Sequence, residues 1–215
     1  MLSATDLDKL TDSELWRRAS QGDEAAFVTL YRRRQSAVYR FALRMSGSTA
    51  MAEDVTQEVF LALVREGGRY DAGRCSLASY LFGIARNQVL RRLERERNFA
   101  PWPNADEDHD SYALVDAGNP LGDLTRQETI DAVRQAVLAL PLHYREVVVL
   151  CDLHELSYLE TAAALGCAVG TVRSRLHRAR ALLAEKLRGL HALETGAATV
   201  AVKHEYGVLY EVPGI

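Results

Sequence analysis

A strongly basic stretch in the C-terminal half carries the side chains best suited to binding chemistry. It is GTVRSRLHRARALL, residues 170–183, with four arginines and one histidine in a chain whose formal net charge is −3. At 100° per residue, Thr171, Ser174, His177 and Arg178 lie opposite the apolar face of a helix, and Arg173, Arg175 and Arg180 lie on its flanks. The candidate DNA-binding residues are Thr171, Arg173, Ser174, Arg175, His177 and Arg178. Arginine bonds guanine with two hydrogen bonds, Ser and Thr bond several base edges, and flanking arginines suit phosphates. The stretch predicts a DNA-reading helix, with an ordinary basic surface helix or a partner-binding helix as alternatives.

The residues before this stretch predict the element that positions it. Ser157 precedes Glu160 by three residues, which is the spacing of a capping box and predicts a helix start. Gly166 follows the small residues 162–164 and can take the left-handed conformation that ends a helix. The next helix would bury Val172, Leu176, Ala179 and Leu183. A short helix, a glycine turn and a basic helix predict a helix-turn-helix.

The N-terminal half shows helical periodicity in three segments, each with an apolar stripe at three- and four-residue steps. The stripes consist of Phe27, Leu30, Tyr31, Val38, Phe41, Ala42 and Met45, then Ala52, Val55, Val59, Phe60, Leu63 and Val64, then Leu77, Leu81, Ile84, Ala85, Val89 and Leu93. The second segment leaves a polar, mainly acidic face: Glu53, Asp54, Gln57 and Glu58. The third leaves an arginine-rich face beside aromatic residues, which suits phosphate attraction and base stacking. A solvated surface is the alternative for both faces.

Charge divides the chain into parts. Residues 1–97 hold 16 Lys and Arg against 13 Asp and Glu, residues 98–125 hold none against six, and residues 126–215 hold ten against ten. The acidic stretch carries Pro101, Pro103 and Pro120 and lacks a sustained apolar period. We expect it to be a linker, either a plain solvated spacer or an extended acidic strand that mimics nucleic acid. The predicted fold is all-α, with helical domains at 1–97 and 126–190 and an extension at 191–215.

The C-terminal extension has a different period. Apolar and aromatic residues alternate with other residues from Val200 to Val212, which is a strand signal. We expect a short β element, formed as a hairpin near Tyr206 and Gly207 or by addition to another protein's sheet, and the alternative is no fixed structure. A regulatory or partner-docking role is the corresponding hypothesis.

Composition argues against several classes of protein. The sequence offers no phosphate-cradling glycine loop and no cluster of metal ligands, so we expect no enzyme, no cofactor, no metal site and no small-molecule substrate. Cys75, Cys151 and Cys167 lack CxxC spacing and are interpreted as reduced core thiols. The sequence shows no apolar run of about 18 residues and no signal peptide. We therefore expect no membrane insertion and a cytoplasmic location.

Two segments in order carry a family resemblance. Residues 22–60, GDEAAFVTLYRRRQSAVYRFALRMSGSTAMAEDVTQEVF, and 76–90, SLASYLFGIARNQVL, resemble the N-terminal domain of bacterial RNA polymerase sigma factors of the extracytoplasmic-function (ECF) group. Residues 139–183, ALPLHYREVVVLCDLHELSYLETAAALGCAVGTVRSRLHRARALL, resemble that group's C-terminal DNA-binding domain. The sequence departs from the family at Tyr80, where tryptophan is common, at Glu155, where glycine is frequent, and at Ala168, where proline is frequent.

The resemblance implies roles for the predicted faces. Glu53, Asp54, Gln57 and Glu58 would dock on the clamp helices of the largest subunit of core RNA polymerase, and the helix from Gly170 would bind the promoter −35 element. The loop from Arg69 to Ser76 and the helix after it would read and open the −10 element and capture an extruded base. The −10 candidates are Arg69, Arg74, Ser76, Tyr80, Arg86, Asn87 and Arg91. An anti-sigma factor is a further expected partner, and the alternative function is a polymerase-independent helix-turn-helix regulator.

Overall fold

Helices form every regular element of the described chain. The structure, a computed structural model, describes residues 4–99 and 126–194. The helices are α1 Ala4–Leu7, α2 Asp12–Ala19, α3 Glu24–Ser46, α4 Thr49–Glu66, α5 Leu77–Phe99, α6 Arg126–Leu138, α7 Leu142–Val148, α8 Tyr158–Leu165 and α9 Val169–Glu194. A 3₁₀ turn at Gly67–Arg69 follows α4, and a π-helical turn at Val149–Leu153 continues α7. The all-α prediction is confirmed, and the predicted β element of the tail lies outside the described residues.

Local signals delimit the long helices of the N-terminal half. The carboxylate of Asp23 accepts a hydrogen bond from the Ala26 amide at 3.1 Å, and the Ser48 hydroxyl accepts one from the Met51 amide at 3.2 Å. These bonds satisfy amides that have no partner within the first turn of a helix. Gly47 ends α3 with φ 73°, a left-handed conformation that glycine adopts without steric cost. Helices α3 and α4 therefore form a tight helical hairpin.

The predicted apolar stripes form the core of this half, with one exception. Leu30, Phe41, Val55 and Leu63 are fully buried, as the period predicts. Val64 was predicted to be buried and is 60% exposed, so that prediction is wrong. Val64 lies about 100° around the helix from Leu63, and it follows the outward-facing residues of α4 rather than the stripe.

Helix α2 was not predicted, although its sequence carries a clear start signal. The Thr11 hydroxyl accepts a hydrogen bond from the Glu14 amide at 3.3 Å, and the Glu14 carboxylate accepts one from the Thr11 amide at 2.8 Å. This is a capping box. Asp12 pairs with Arg33, at 3.0 Å, and with Arg34 of α3. Two arginines of α3 are therefore ion-paired within the fold.

A buried arginine ties the C-terminal half to the N-terminal half. Arg145 of α7 is only 4% exposed. Its Nη1 donates to the Met45 carbonyl oxygen at 2.6 Å, and its Nη2 donates to the carbonyl oxygens of Leu138 and Leu140. These carbonyls lie at the C-terminal ends of α3 and α6, where helical partners are missing. The guanidinium therefore fastens α7 to both helix ends.

The two halves pack directly against each other in the described residues. Helix α5 lies along α8, so closely that a Cβ at Gly83 would sit 3.2 Å from the Ala164 carbonyl oxygen. His154, which follows the π-helical turn, contacts the rings of Phe41 and Phe82. Within residues 4–99 and 126–194, no helix is long and apolar enough to span a membrane.

Candidate nucleic-acid interface

Helices α8 and α9 form the predicted helix-turn-helix. The Ser157 hydroxyl accepts from the Glu160 amide at 3.2 Å, and the Glu160 carboxylate accepts from the Ser157 amide at 3.1 Å. Hydrogen bonds from Ser157 to the carboxylate lower the pKa of Glu160, because they stabilise its charged form. Gly166 ends α8 with φ 65°. The predicted capping box and glycine turn are both confirmed, and they set the angle at which α9 leaves the turn.

Helix α9 buries its predicted apolar stripe and presents polar groups outward. Val172, Leu176, Ala179 and Leu183 are buried. Four of the six predicted DNA-binding side chains are exposed, namely Arg173, Ser174, His177 and Arg178, whereas Thr171 and Arg175 are half-buried. The exposed face offers guanidinium, hydroxyl and imidazole groups over about two helical turns, a length that fits the major groove of B-DNA.

Three arginines of α9 have contacts within the protein. The Arg173 guanidinium lies over the Tyr158 ring, 5.8 Å from its centroid, which aligns it beside α8. Arg180 donates to both oxygens of buried Asp152, at 3.1 and 2.5 Å, so this ion pair holds α9 to the π-helical turn. Nη1 of Arg175 lies 3.5 Å from Oε1 of Glu146. Of the three, Arg173 and Arg180 remain exposed to solvent, whereas Arg175 is half-buried.

Glu146 connects α9 to the other half of the protein. Its side chain is 2% exposed, and Arg86 of α5 approaches it with two donors, Nε at 2.6 Å and Nη2 at 3.3 Å. A buried carboxylate needs such partners because burial removes its hydration. Arg86 is therefore turned toward α7, away from the other predicted −10 residues. The sequence interpretation missed Glu146, although a charged residue directly before the apolar run 147–150 requires a buried partner.

Three predicted −10 residues line one open groove between α4 and α5. Tyr80, Asn87 and Arg91 border it together with Glu66, Glu94 and apolar side chains, and its volume is about 490 Å³. Burial is the main cause that raises the pKa of Tyr80. The groove combines an aromatic ring, an amide and charged groups, which suit stacking on a base and bonding to its edges.

The loop before α5 carries the remaining predicted −10 residues. Arg69 and Arg74 are exposed, and the Ser76 hydroxyl accepts from the Ser79 amide at 3.2 Å at the start of α5. Asp71 shapes the loop, since its carboxylate accepts from the Gly73 amide at 2.9 Å in a turn typical of Asp. The structure thus places two arginines on a defined loop between α4 and α5, the two helices that border the groove.

Helix α2 supports this loop from behind. The Ser13 and Tyr70 hydroxyls are hydrogen-bonded at 2.8 Å, and the Tyr70 and Tyr80 rings lie 5.4 Å apart. Trp16 packs on Gly67, where a Cβ would lie 2.1 Å from Trp16 Cζ2. Sequence interpretation missed these positioning residues because it did not detect α2, whose capping box was the available signal.

The acidic face of α4 lies on a separate surface. Glu53, Asp54 and Gln57 are exposed and Glu58 is half-buried. Leu61 and Val64 lie one and two helical turns after Gln57. They are 46% and 60% exposed and add apolar area to this face. Such a face combines charge with exposed apolar area that a bound partner would remove from water, as protein-binding surfaces do.

These features define a class: an all-helical DNA-binding protein whose helix-turn-helix packs against a second helical unit with a polar groove and an acidic face. Two family profiles match the chain in the same order, Sigma-70 region 2 over residues 30–99 and Sigma-70, region 4 over residues 130–183. The first covers most of α3, then α4, the loop and α5, and the second covers the helix-turn-helix.

Similar whole proteins narrow the class. ECF RNA polymerase sigma factor SigE of Mycolicibacterium smegmatis is 36% identical over 209 residues, which cover 90% of this chain and 79% of SigE. ECF RNA polymerase sigma factor SigM of Mycobacterium tuberculosis is 37% identical over 180 residues, 82% of this chain and 85% of SigM. The sigma factor RpoE of Bartonella quintana, solved in complex with the anti-sigma factor NepR, shares 29% identity with a TM-score of 0.54 and covers 72% of this chain and 91% of its own.

The chain belongs to the ECF group of RNA polymerase sigma factors. Its function is therefore to join core RNA polymerase and direct it to promoters, and the alternative of a polymerase-independent regulator is not favoured. Proteins of this group are transcription initiation factors without catalytic activity of their own.

Proposed function

We propose that this sigma factor divides promoter recognition between α9 and the groove between α4 and α5. The exposed face of α9 binds the −35 element as a duplex, and the groove with its adjoining loop takes bases of the −10 element from the opened strand. The observation that carries this proposal is the convergence of Tyr80, Asn87 and Arg91 on one groove of about 490 Å³. Base extrusion costs a few kcal/mol, which stacking and edge contacts in such a groove offset.

The acidic face of α4 is the proposed docking surface for core polymerase, through the clamp helices of its largest subunit. Three of its polar side chains are exposed, and Leu61 and Val64 add apolar area beside them. In this proposal residues 1–97 and 126–190 act as separate units joined by 98–125. The protein has no catalytic activity and works in the cytoplasm, where core polymerase and promoter DNA are found.

An anti-sigma factor is proposed as a further partner. Support comes from the relative RpoE, whose structure was solved with the anti-sigma factor NepR. Co-purification of a tagged chain from its own host, followed by inhibition of transcription by the captured protein, would identify this partner. Captured proteins that never inhibit transcription would argue against it.

Run-off transcription with purified core RNA polymerase and a pooled promoter library tests the main proposal. We expect transcripts that depend on the protein and share −35 and −10 sequences. Transcripts equal with and without the protein would contradict the proposal. Duplex binding by the protein without binding to core polymerase would instead support a lone regulator.

Variants then assign the surfaces separately. Arg178→Ala should weaken binding to the −35 duplex by about 5- to 150-fold, since a good base contact is worth about 1–3 kcal/mol. Arg134→Ala, at an exposed ion pair of α6, is the matched control and should leave binding unchanged. Tyr80→Ala should reduce strand opening, measured by permanganate reactivity, without changing −35 binding.

The acidic face has its own pair of variants. Asp54→Asn combined with Glu58→Gln should weaken binding to core polymerase, measured by fluorescence anisotropy, because both carboxylates lie on the proposed docking face. Glu185→Gln, at an exposed position of α9, removes a carboxylate elsewhere and is the control. Equal core affinity for the double variant and the control would contradict the assignment.

A further inference from the structure

One side chain anchors the loop between α4 and α5 that carries the proposed −10 arginines. Of residues 68–74, which the structure describes, Tyr70 alone is half-buried and the others are exposed. Its ring packs against the core and lies 5.4 Å from the ring of Tyr80, which borders the groove. Arg69 directly precedes Tyr70, and Arg74 lies four residues after it. The direction in which Tyr70 points therefore sets where both arginines lie relative to the groove.

The residues after Tyr70 form a turn that holds its own shape. The Asp71 carbonyl oxygen accepts from the Arg74 amide at 3.0 Å and from the Cys75 amide at 3.4 Å. The Asp71 carboxylate accepts from the Gly73 amide at 2.9 Å, as Asp side chains commonly do in turns. A change at Tyr70 should therefore move this turn as a unit rather than unfold it.

Helix α2 holds the first part of this loop with two side chains of one face. Ser13 and Trp16 are three residues apart, so they lie on the same side of the helix. The hydroxyls of Ser13 and Tyr70 share a hydrogen bond of 2.8 Å, and Trp16 packs on Gly67 at the start of the loop. The Tyr70 amide also donates to the Gly67 carbonyl oxygen at 3.0 Å. The segment from Gly67 to Tyr70 is therefore fastened to α2 at both of its ends.

Ser13 lies in a part of α2 that is itself held in place. Its neighbour Asp12 pairs with Arg33 of α3 at 3.0 Å. The capping box of Thr11 and Glu14 encloses the same turn of the helix. A functional site keeps a precise geometry when the residues behind it are locked by such contacts. The Ser13 hydroxyl can therefore hold the Tyr70 side chain in one orientation.

We propose that Ser13 is a positioning residue for base selection at the −10 element. Its hydrogen bond holds the Tyr70 hydroxyl, and Tyr70 in turn orients the loop and supports the ring of Tyr80 at the groove. Selectivity among −10 bases thus depends on a hydroxyl of α2, which lies outside the surfaces assigned to DNA. This inference rests on the proposed function, because it takes the loop and the groove as the −10 site.

Base selectivity measures this role separately from folding. The promoter that the unmodified chain selects from the pooled library, its single-base −10 variants and its single-base −35 variants would each be transcribed with core polymerase. Selectivity is the ratio of the rate on the parent promoter to the rate on a variant promoter. Ser13→Ala should lower −10 selectivity by about 2- to 10-fold, the factor that corresponds to one ordinary hydrogen bond. Its −35 selectivity should stay unchanged, and a smaller folded fraction alone would lower all rates together and leave both ratios as they were.

Matched variants assign the effect to the pair of hydroxyls. Ser13→Thr keeps a hydroxyl and should retain the selectivity, and Ser20→Ala, which removes an exposed hydroxyl at the other end of α2, is the control. Tyr70→Phe keeps the ring beside Tyr80 and should lose as much −10 selectivity as Ser13→Ala. The double variant should lose no more than either single variant, because both substitutions remove the same bond. Additive losses would contradict a route through Tyr70.

Amide hydrogen exchange, followed by NMR in the free protein, tests the anchoring of the loop without DNA. The Tyr70 amide should exchange about 2- to 10-fold faster in Ser13→Ala, because the loop opens more often once it has lost a fastening. The same amide should exchange at the unmodified rate in Ser13→Thr and in Ser20→Ala. The Arg74 amide should keep its rate in all three variants, because its bond to Asp71 lies within the turn.

The outcomes separate this inference from the proposed function. Transcription by the unmodified chain that does not depend on the −10 sequence would refute the proposed function, and this inference with it. Where that dependence is present, full −10 selectivity of Ser13→Ala would overturn the role of Ser13 alone. Equal losses of −10 and −35 selectivity would overturn it as well, and so would an unchanged exchange rate of the Tyr70 amide.

Discussion

Acidification should weaken the packing between the two halves of the protein through His154. The His154 ring centroid lies 6.3 Å from that of Phe41 and 4.9 Å from that of Phe82, and its Nε2 atom is buried without a hydrogen-bond partner among the described residues. Burial is the main cause that lowers the pKa of His154 to about 3, and the positive charges of Arg44 and Arg40 add to it. Folded His154 is therefore neutral at ordinary pH.

The size and sign of the effect follow from proton linkage. In the unfolded chain the histidine pKa is about 6.5, so between about pH 6.5 and 3 the unfolded chain binds a proton that the folded protein excludes. The stabilisation is complete above about pH 6.5 and is lost as pH falls, by about 1.4 kcal/mol per unit. Lowering the pH from 7.5 to 5.0 should remove about 2 kcal/mol from the free energy of unfolding through this group alone.

Urea unfolding followed by circular dichroism can isolate this contribution. His154→Phe keeps an aromatic ring between Phe41 and Phe82 and loses no hydrogen bond of Nε2, so the variant should fold. Carboxylates titrate in both proteins, and the difference between them reports His154. We expect that difference to change by about 2 kcal/mol between pH 7.5 and 5.0. His143→Phe, at an exposed histidine of α7, is the control, and a difference for His154→Phe that stays constant with pH would refute the reasoning.

Three further substitutions test close packing, backbone strain and a buried guanidinium by urea unfolding. Gly67→Ala puts a Cβ 2.1 Å from Trp16 and should lower the free energy of unfolding by about 2 to 3 kcal/mol. Gly68→Ala is the control and should not lower it, because a Cβ there has nothing within 4 Å. Equal effects of the two substitutions would contradict the packing argument. Glu155 has φ 55°, so Glu155→Gly should raise the free energy of unfolding by about 1 kcal/mol. Glu155→Ala keeps the Cβ and should give no gain. A gain in both variants would show that backbone strain is not the cause. Arg145→Met leaves three carbonyl oxygens without their donor and should lower the free energy of unfolding by about 3 kcal/mol or more. Arg134→Met, at an exposed ion pair, is the control and should lower it by less than about 1 kcal/mol. Similar losses in the two variants would contradict the structural role of Arg145.

The parts of the fold that sequence could predict are those set by local interactions. The capping box of Ser157 and Glu160 and the left-handed Gly166 join residues a few positions apart, so their geometry follows from residue type and spacing. The buried stripe of α9 follows in the same way from helical period. Glycine is frequent in the family at position 155, and this preference also has a local cause, because φ is positive there.

The pairing of side chains between distant segments could not be predicted. Arg86 and Arg175 were assigned to DNA from their residue type and helix face, and no local signal joins either of them to Glu146. Their partner depends on how α5, α7 and α9 pack. A weaker signal was present at Arg145 and Glu146, because two charged residues beside a buried apolar run require internal partners.

The carboxylate of Glu146, shared by Arg86 and Arg175, adds specificity more than stability to the packing of α5, α7 and α9. Removing a carboxylate and its arginines from water costs about as much as their attraction returns, so a buried ion pair contributes little net stability. Removing one partner alone costs more, because it leaves the other charge buried without compensation. The pairing therefore favours this arrangement of the three helices over others in which Glu146 would be buried without a partner.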